Sequence, residues 1–509
     1  MDKYNNIKVL NFIMRGIQMY DIIIIGAGVI GATIARRLSK YKLNILLLEA
    51  ENDVSMGASK ANSAIVHGGY AESHDKLKGR VCYKGRKEYE NLNKELNFGF
   101  SKIGSLVLAF EEEQKKGLEE LMENGIKNGL PDLKILNHDE ILEIEPNVNP
   151  EVKYALYCEG AGVCSPYELV IALTENAIEN GVELKLNSEV IDINKQSDVF
   201  EVKTKDNNIY KGKYVINASG INSAKISKMV GVDYFDINPR SGEYLLMRRG
   251  SGDKLNHVLF QMPTKMGKGI LVTPTYHNNL LLGPDAIDDK EIDKSTDVKR
   301  LANIYKQGLQ TTEVLNINEF IRSFTGVRAV STTNDFIIEE STVKNFINVA
   351  GIQSPGLTSS PEIGRLVEEI LRDSGLVLNE KTNYNPYRKP IINKKTDKDF
   401  LGAKELKERL DKPIGSEGRM VCRCEQVSES TIIDAMNRGI KVTTIDGIKR
   451  RTRAGMGYCQ GTFCRPRVAE VMSKELGYKI DPSFDIEHSG INRVSKKDLV
   501  NEIKKELES

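Results

Sequence analysis

Short apolar runs separated by helix-like segments dominate the first third of the chain. Residues 20–25 and 44–48 are rich in Ile and Leu, as is typical of strands buried on both faces of a parallel sheet. Residues 32–40, between them, follow the spacing of an amphipathic helix. Similar runs at 214–218 and 345–350 extend the pattern. The sequence therefore predicts an α/β unit with a Rossmann-like parallel sheet.

The pattern changes along the rest of the chain. Residues 236–285 read as short strands with turns, which predicts a second, sheet-based unit of α+β type. Residues 376–418 are polar and proline-bearing, so we expect a linker. A small cysteine-bearing module at 419–480 precedes a tail at 481–509, whose last part, 494–509, we expect to be a charged, solvated helix.

We interpret the first 18 residues as an extension, because Met19 stands directly before the first strong strand. Arg15-Gly16 fits a translated ribosome-binding site, so our hypothesis is that Met19 is the true start. N-terminal sequencing of the native protein that began at Met1 would contradict it.

Composition excludes several classes of protein. The chain has 40% hydrophobic and 28% charged residues, which is ordinary for a globular protein and unlike a disordered or collagen-like one. Its 72 basic and 71 acidic residues leave a net charge of +1, so no global field favours nucleic acid. No apolar run approaches the length of about 18 residues that a membrane span needs, and the N-terminus lacks a signal peptide. We therefore expect a cytoplasmic protein, with peripheral membrane contact left open.

A glycine-rich turn follows the first strand and points to a nucleotide. Gly26, Gly28 and Gly31 have the spacing that allows a tight turn, a close pyrophosphate and close helix packing. Ala27, Val29 and Ile30 complete this loop at the helix N-terminus, which attracts phosphate. Glu49, followed by Ala50, lies 18 residues beyond Gly31, where an acid binds ribose hydroxyls.

Two later strand ends favour FAD over NAD as this nucleotide. Ala218, Ser219 and Gly220 end one apolar strand, and the segment Gly351–Gly356 ends another. Ligands of open parallel sheets collect at the carboxyl ends of the strands. A nucleotide that touches three remote segments is long, and FAD fits this better than NAD.

Six segments in order resemble the FAD-dependent amine and hydroxy-acid oxidoreductases, a superfamily with glycine oxidase, L-2-hydroxyglutarate dehydrogenase and glycerol-3-phosphate dehydrogenase. They are YDIIIIGAGVIGATIARRLSKYKLNILLLE, SKANSAIVHGG, YVINASGINS, LVTPTYHNNLLLGP, DFIIEES and NVAGIQSPGLTSSPEIG. The resemblance covers about residues 20–375. It implies a discontinuous FAD domain, at about 19–75, 150–235 and 330–375, and a sheet-based substrate domain, at about 76–149 and 236–329.

The resemblance also implies which residues hold the flavin. Asn62, Ser63, Ala64, Ile65 and His67 would lie along the isoalloxazine. The strand-end segment would contribute Gly351, Ile352, Gly356, Leu357 and Thr358, the last near the pyrimidine end, and Val190 would contact adenine through its backbone.

Four of the seven cysteines crowd into the C-terminal module. Cys422 and Cys424 form a C-x-C pair, and after 34 residues Cys459 and Cys464 form a C-x₄-C pair. Two close pairs of thiolates suit a [2Fe–2S] cluster, while zinc is the main alternative. Residues 441–470 hold seven basic and two acidic residues, and such a basic environment should raise the potential of an anionic cluster.

The module resembles the bacterioferritin-associated-ferredoxin-like domain. The string RRTRAGMGYCQGTFC is similar to the form at the C-terminus of anaerobic glycerol-3-phosphate dehydrogenase large subunits. Related modules occur in opine and sarcosine oxidising flavoproteins, so the module alone does not define a substrate.

A flavin and a one-electron cluster in one chain predict a dehydrogenase that exports electrons rather than an oxidase. His67 is the candidate base for the substrate hydroxyl proton; the alternative is that it only hydrogen-bonds the flavin or the backbone. Arg328 matches a family arginine that binds substrate carboxylate or phosphate, and Tyr244, with Arg240 and Arg322, is a weaker pocket candidate.

The expected reaction is oxidation of sn-glycerol-3-phosphate to dihydroxyacetone phosphate, with electrons passed to a redox partner that is a second flavoprotein or an iron–sulfur protein. Two departures, Tyr70-Ala71 in place of a family arginine and Ala329 in place of a proline, weaken the phosphate interpretation. The run at 77–98 also resembles hydroxyglutarate enzymes. L-2-hydroxyglutarate oxidation, opine or amino-acid oxidation, and a non-catalytic electron-transfer flavoprotein therefore stay open.

Overall fold

A computed structural model of the protein describes residues 18–262, 269–289, 291–483 and 490–508. Most of the expected extension, residues 1–17, lies outside this part. The strands of the described residues are β1 (Met19–Ile25), β2 (Ile45–Leu48), β3 (Ile65–Val66), β4 (Phe100–Lys102), β5 (Ser105–Ala109), β6 (Leu133–Asn137), β7 (Tyr154–Cys158), β8 (Gly162–Cys164), β9 (Glu183–Lys185), β10 (Val190–Gln196), β11 (Val199–Thr204), β12 (Ile209–Asn217), β13 (Ile237–Met247), β14 (Val258–Gln261), β15 (Val272–Pro274), β16 (Leu280–Leu282), β17 (Ile287–Asp288), β18 (Phe320–Ser331), β19 (Ile337–Glu340), β20 (Phe346–Ala350), β21 (Met420–Cys422) and β22 (Val427–Ser428).

The helices of the described residues connect and cover these strands. They are α1 (Val29–Leu38), α2 (Leu77–Arg86), α3 (Tyr89–Leu96), α4 (Gln114–Lys127), α5 (His138–Ile144), α6 (Pro166–Glu179), α7 (Ser223–Lys228), α8 (Val298–Thr311), α9 (Gly356–Asp373), α10 (Ala403–Leu410), α11 (Glu429–Met436), α12 (Ile445–Thr452), α13 (Arg465–Leu476) and α14 (Lys496–Glu508).

The first sheet has the predicted parallel core. Strands β9, β2, β1, β12 and β20 run parallel in that order, and β10–β11 and β19 add antiparallel pairs. Ile22, Ile23 and Ile24 of β1 are fully buried because α1, α6 and α9 cover one face of the sheet and the β10–β11 segment lies on the other side. The carboxyl ends of β1, β12 and β20 meet at one edge, where the glycine-rich segments begin.

The second sheet is mixed and holds nine strands of the described chain. Its longest pair is β13 with β18, antiparallel, with Tyr244 opposite Phe324 and Arg240 opposite Arg328. Helices α8 and α14 pack on this sheet and complete its apolar core.

Three elements pack in a different unit from the one that the expected domain boundaries give. Strand β7 was expected in the FAD domain, but it pairs with β5 and β6 in the second sheet. Helices α2 and α3 were expected in the substrate domain, but their apolar residues pack into the core of the first unit. Periodicity shows that an element is apolar on one face, and the partner of that face is fixed only by tertiary packing.

The expected linker and tail are also more ordered than predicted. The segment 376–418 contains α10 and is fastened to the first unit, where Arg388 binds Glu175 at 2.5 Å and Tyr41 pairs with Glu380. The tail forms the expected helix, α14, but it is not a solvated end: Leu499 is 0% and Ile503 4% exposed. Residues 484–489 of the tail lie outside the described part.

The cysteine-bearing module is small and mainly helical, as expected. The β21–β22 hairpin and helices α11, α12 and α13 enclose a separate apolar core that contains Val421, Ile432, Ile448 and Met472. Among the described residues, no helix combines the length and the apolar character that crossing a membrane requires.

Candidate active site

A cavity of about 1630 Å³ lies between the carboxyl edge of the first sheet, the second sheet and the C-terminal module. All but four of the residues predicted to bind the cofactor line it. The four exceptions are Ala27, Gly31, Gly351 and Thr358, which lie just behind the wall. The predicted cofactor residues are therefore brought together from three remote parts of the chain.

The glycine-rich turn leaves no room for side chains. Gly26 has φ +102°, and a Cβ there would lie 2.6 Å from the carbonyl oxygen of Ala218. A Cβ on Gly31 would lie 1.8 Å from the carbonyl oxygen of Gly26. This close packing of β1, α1 and the end of β12 exposes the N-terminus of α1 to the cavity, as phosphate binding requires.

Ser59 was not singled out in the sequence but lies at this helix N-terminus. Its Oγ accepts a hydrogen bond from Val29 N at 2.9 Å. The loop that carries Ser59 therefore meets the position where the helix dipole attracts phosphate.

Glu49 is buried at the end of β2. Its carboxylate accepts hydrogen bonds from Ala27 N at 2.7 Å and Glu51 N at 3.0 Å. Burial raises the pKa of Glu49 to about 7, against the lowering effect of these backbone donors. Glu49 lines the cavity together with Ala50 and Val190, so the geometry fits the adenosine end of a dinucleotide.

The segment expected beside the flavin is held on both sides. Ala64, at φ +62°, donates from its N to Asn62 Oδ1 at 2.8 Å, and its carbonyl oxygen accepts from Cys164 N at 2.8 Å. His67 N donates to Thr358 Oγ1 at 2.9 Å, which ties the segment to α9. Thr358 therefore acts behind the wall, as a support of the segment.

His67 presents its ring to the cavity. The imidazole stacks on Phe260 with ring centres 5.8 Å apart, and its Nε2 lies 3.5 Å from Ser354 Oγ. Burial, with a smaller contribution from the charge of Arg328 and against the opposing charge of Glu72, lowers the pKa of His67 to about 4. The imidazole is therefore neutral at physiological pH and able to accept a proton.

Tyr244 and Arg328 lie together on the opposite wall, in the second sheet. Tyr244 Oη is 3.2 Å from Ser63 Oγ, and its ring stacks on Phe324 at 4.7 Å. Burial raises the pKa of Tyr244, while Arg328 lowers it through its charge and a hydrogen bond. The three candidate catalytic residues thus converge on the segment expected to hold the flavin.

The two weaker arginine candidates also line the cavity, but both have partners. Arg240 forms a two-point pair with Asp288, at 2.5 and 3.0 Å. Arg322 donates to Gln460 Oε1 at 3.4 Å.

The C-terminal module supplies cavity residues that the sequence did not indicate. Lys449, Met456 and Gln460 line the cavity, and Tyr167 Oη donates to Met456 Sδ at 3.5 Å. These side chains come from positions almost 300 residues after the Tyr167 segment, so only the docking of the module reveals them.

A buried ionic network joins the same wall to the cysteines. His277, which also lines the cavity, lies 2.6 Å from Glu168 through its Nε2. Arg453 donates to Glu425, the residue after Cys424, at 2.8 Å. Burial lowers the pKa of His277, and Arg453 adds to the effect. The sequence around His277 gave no sign that it lies at the site, and only its buried position in the structure shows this.

The four module cysteines meet as two pairs across the module. A hydrogen bond with Cys464, outweighing burial, lowers the pKa of Cys422 to about 6. Burial raises the pKa of Cys424 to about 11, and Cys459 contributes to this. Cys422 and Cys464 are each 1% exposed, whereas Cys424 and Cys459 are half-buried. Two pairs of interacting thiols fit two irons with two thiolates each.

Glycines shape the loop around these thiols. Gly455 and Gly461 have φ +93° and +91°, and a Cβ on Gly457 would lie 2.2 Å from Cys424 Cβ. Within the described residues, no three His, Cys, Asp or Glu side chains are arranged as ligands of a single metal ion.

Comparison with known proteins decides the family. The sequence pattern described as "FAD dependent oxidoreductase" matches residues 21–370, more than half of the chain. The chain belongs to the FAD-dependent oxidoreductase family. A second pattern, the "BFD-like [2Fe-2S] binding domain", matches residues 420–474.

Two named relatives of this FAD-dependent oxidoreductase differ in how much of the chain they cover. The chain is 44% identical over 476 residues to a protein named "Glycerol 3-phosphate dehydrogenase" from Caloramator mitchellensis, covering 93% of this chain and 97% of the relative. It is 35% identical over 380 residues to a "Glycerol 3-phosphate oxidase" from Mycoplasma genitalium, covering 72% of this chain and 98% of that one.

A solved structure confirms the fold. The FAD-bound, dithionite-reduced L-alpha-glycerophosphate oxidase from Mycoplasma pneumoniae matches with a TM-score of 0.69 and 34% identity, over 73% of this chain and 98% of that one. The protein is an FAD-dependent dehydrogenase of this family, and its cofactors are FAD and a [2Fe–2S] cluster.

Proposed function

We propose that the protein oxidises sn-glycerol-3-phosphate to dihydroxyacetone phosphate and passes the electrons through its cluster to a redox partner. The observation that carries this proposal is the convergence of His67, Tyr244 and Arg328 at the cavity. The similarity over both units to a protein named glycerol 3-phosphate dehydrogenase supports the choice of substrate. FAD, when bound, supplies the acceptor for the substrate hydride at its N5 atom.

His67 acts on the substrate hydroxyl in this proposal. A neutral imidazole can take the proton from the hydroxyl oxygen while hydride leaves the carbon that bears this hydroxyl. The stacking on Phe260 and the hydrogen bond from His67 N to Thr358 hold the ring against the cavity wall. A fixed ring orientation is what proton transfer in a bound complex requires.

Arg328 and Tyr244 bind the anionic end of the substrate. The guanidinium can form two parallel hydrogen bonds with a phosphate or a carboxylate. Because burial holds Tyr244 in its neutral form, its hydroxyl is able to donate to the same group. In the absence of the family arginine after the HGG segment, this pair is the anion site.

The contacts between the units support an electron route to the cluster. The flavin segment reaches β8 through Cys164 N and the Ala64 carbonyl, and Tyr167, three residues later, reaches Met456. Met456 is three residues before Cys459. A short series of packed residues therefore leads from the segment that would hold the flavin to the loop that would hold the cluster.

The partner docks at the half-buried cysteine pair in this proposal. Tyr458, next to Cys459, and Phe463, next to Cys464, are 66% and 39% exposed, and Arg467 lies over the Phe463 ring at 4.6 Å. A basic rim predicts an acidic docking face on the partner, so electron transfer should slow as ionic strength rises. A transfer rate independent of salt would contradict this mode of docking.

Anaerobic visible spectroscopy tests the substrate. Purified holoenzyme should lose its flavin absorbance on addition of sn-glycerol-3-phosphate and keep it with L-2-hydroxyglutarate. Bleaching by L-2-hydroxyglutarate alone would replace the proposed substrate with a 2-hydroxy acid. If dithionite but neither substrate bleaches the flavin, the catalytic proposal fails and an electron-carrier function is favoured.

A further inference from the structure

We propose that the [2Fe–2S] module, residues 419–480, closes the flavin cavity against dioxygen and so suppresses a latent oxidase activity of the first two units. The inference rests on the flavin position of the proposed function, but not on the identity of the substrate.

One helix of the module forms part of the cavity wall. On α12 and just after it, Asp446, Lys449, Arg450 and Arg453 line the cavity. Their spacing of three, four and seven residues places them on one helix face. Met456 and Gln460 continue the wall towards the cluster loop. The cavity is therefore incomplete without the module.

This wall stands beside the segment expected to hold the flavin. The Ala64 carbonyl accepts from Cys164 N at 2.8 Å, and Cys164 is 1% exposed. Tyr167, in the same run, donates to Met456 Sδ at 3.5 Å. Loss of the Met456 side chain would open the wall close to the flavin segment.

Buried ion pairs keep the wall in place. Asp53, in the loop after β2, is bound by Arg450 at 2.6 Å and by Arg451 at 2.7 and 2.8 Å. All three are buried, with Arg451 at 2% exposure. Glu425 adds a bond to Arg249 of the second unit at 3.2 Å. The module is thus fixed to both other units.

The relatives show a matching difference. The relative named a dehydrogenase aligns over 93% of this chain, which includes the module. In the Mycoplasma relatives named oxidases, 98% of the relative aligns with only 72–73% of this chain. Almost nothing of these relatives is left over, so they are too short to carry the module as well. A part of the cavity wall that the module supplies here and that the shorter relatives lack would account for the two names.

The suppressed reaction is the ordinary two-electron reduction of dioxygen. Reduced anionic flavin, dioxygen and one proton would give oxidised flavin and hydrogen peroxide, the flavin losing the two electrons and its N5 hydrogen. Dioxygen is the co-reactant, and its access to the flavin is what the wall controls.

The test uses Met456→Ala in the full-length holoenzyme, with Met436→Ala as the matched control. Met436 belongs to the same module and packs against its core, but it does not line the cavity. Each protein is fully reduced with dithionite, freed of excess reductant and mixed with aerated buffer while flavin absorbance and peroxide are followed. A fully reduced cluster cannot accept electrons from the flavin, so the initial rate of flavin reoxidation reports how directly dioxygen reaches the flavin. Gln460→Ala serves as a second wall variant if Met456→Ala does not fold.

We expect Met456→Ala to reoxidise at least about tenfold faster than wild type, with peroxide as product, and Met436→Ala to match wild type. Acrylamide quenching of the flavin fluorescence should rise in Met456→Ala only, as a readout of access without turnover. Equal reoxidation and quenching in wild type and both wall variants would overturn the proposal. Because dithionite replaces the substrate, this outcome is separate from a failure of the glycerol-3-phosphate assignment.

Discussion

At the scale of single residues, the proposed chemistry depends on the protonation state of one histidine. His67, Tyr244 and Arg328 could be named from the motifs that surround them, and all three line the cavity. The neutral form of His67 depends on burial and on Arg328, which lies 261 residues away. Long-range neighbours of this kind leave no local pattern, so the pKa of His67 could not be predicted.

The pH dependence of His67 gives the first prediction. Because its pKa is lowered to about 4, the base stays deprotonated at physiological pH, and the acidic limb of kcat/KM should break near pH 4 rather than near 6.5. His67→Asn should lower kcat by about 10²–10⁴-fold, the usual contribution of a general base. Retention of kcat in steady-state assays of this variant would leave His67 with a hydrogen-bonding role only.

Two arginines that lie opposite each other on β13 and β18 allow a controlled test of the proposed anion site. Arg328→Lys should lower kcat/KM by about 10- to 100-fold, since a charged hydrogen bond contributes about 1.5–3 kcal/mol and lysine loses the two-point geometry. Arg240 lies opposite Arg328 but is paired with Asp288, so Arg240→Lys is the control and should change kcat/KM only slightly. Equal effects of the two substitutions would show that Arg328 has no special contact with substrate.

At the scale of secondary-structure elements, the sequence predicted the positions of the strands better than it predicted the elements they pack against. The parallel strands β1, β2, β12 and β20 follow the predicted apolar runs. The boundaries that the resemblance implies place strand β7 and helices α2 and α3 in the other unit, because a resemblance of motifs does not define the packing of the segments between them. Helix α14 consists mostly of charged residues, so its sequence likewise did not reveal that its narrow apolar face packs on α8.

The C-terminal helix should therefore contribute to stability. Leu499→Ala should lower the free energy of unfolding by about 2–5 kcal/mol, because a buried leucine leaves a cavity when it is truncated. Leu507, on the same helix, is 54% exposed, so Leu507→Ala should have little effect. Denaturant unfolding of the two variants compares them directly, and equal midpoints would mean that α14 is not packed in solution.

At the scale of the whole molecule, the order of the units followed from the sequence but their arrangement did not. The glycine turn together with two later strand ends indicated FAD, and the cysteine spacing favoured a [2Fe–2S] cluster over zinc; both cofactors are confirmed. The module forms part of the cavity wall because Arg450 and Arg451 bind Asp53, which precedes them by nearly 400 residues in the sequence. No short-range pattern marks such a pairing.

Asp53 provides the test of this docking. Asp53→Asn leaves two buried guanidinium groups with a weaker partner, and we expect a loss of about 3–5 kcal/mol. Asp21→Asn, which removes an exposed pair with Lys213, should cost less than about 1 kcal/mol. Burial raises the pKa of Asp53, but Arg451 and Arg450 outweigh it and hold the pKa well below its usual value.

The sign of the pH effect follows from that lowered pKa. The stabilisation by Asp53 is complete above the unfolded-state value of about 3.9 and is lost as pH falls from there towards the folded-state pKa. The stability difference between wild type and Asp53→Asn should therefore shrink below about pH 4. A difference that is constant across this range, or absent at pH 7, would contradict the ion pairs.

The central claim is that electrons from the substrate enter at the flavin and leave through the cluster of the same chain. Rapid freeze-quench after anaerobic mixing with sn-glycerol-3-phosphate measures both centres, the flavin by its absorbance and the reduced cluster by electron paramagnetic resonance. We predict that flavin bleaching comes first and that the cluster signal follows in the same molecules without added mediator. A bleached flavin with a cluster that stays oxidised would contradict the claim.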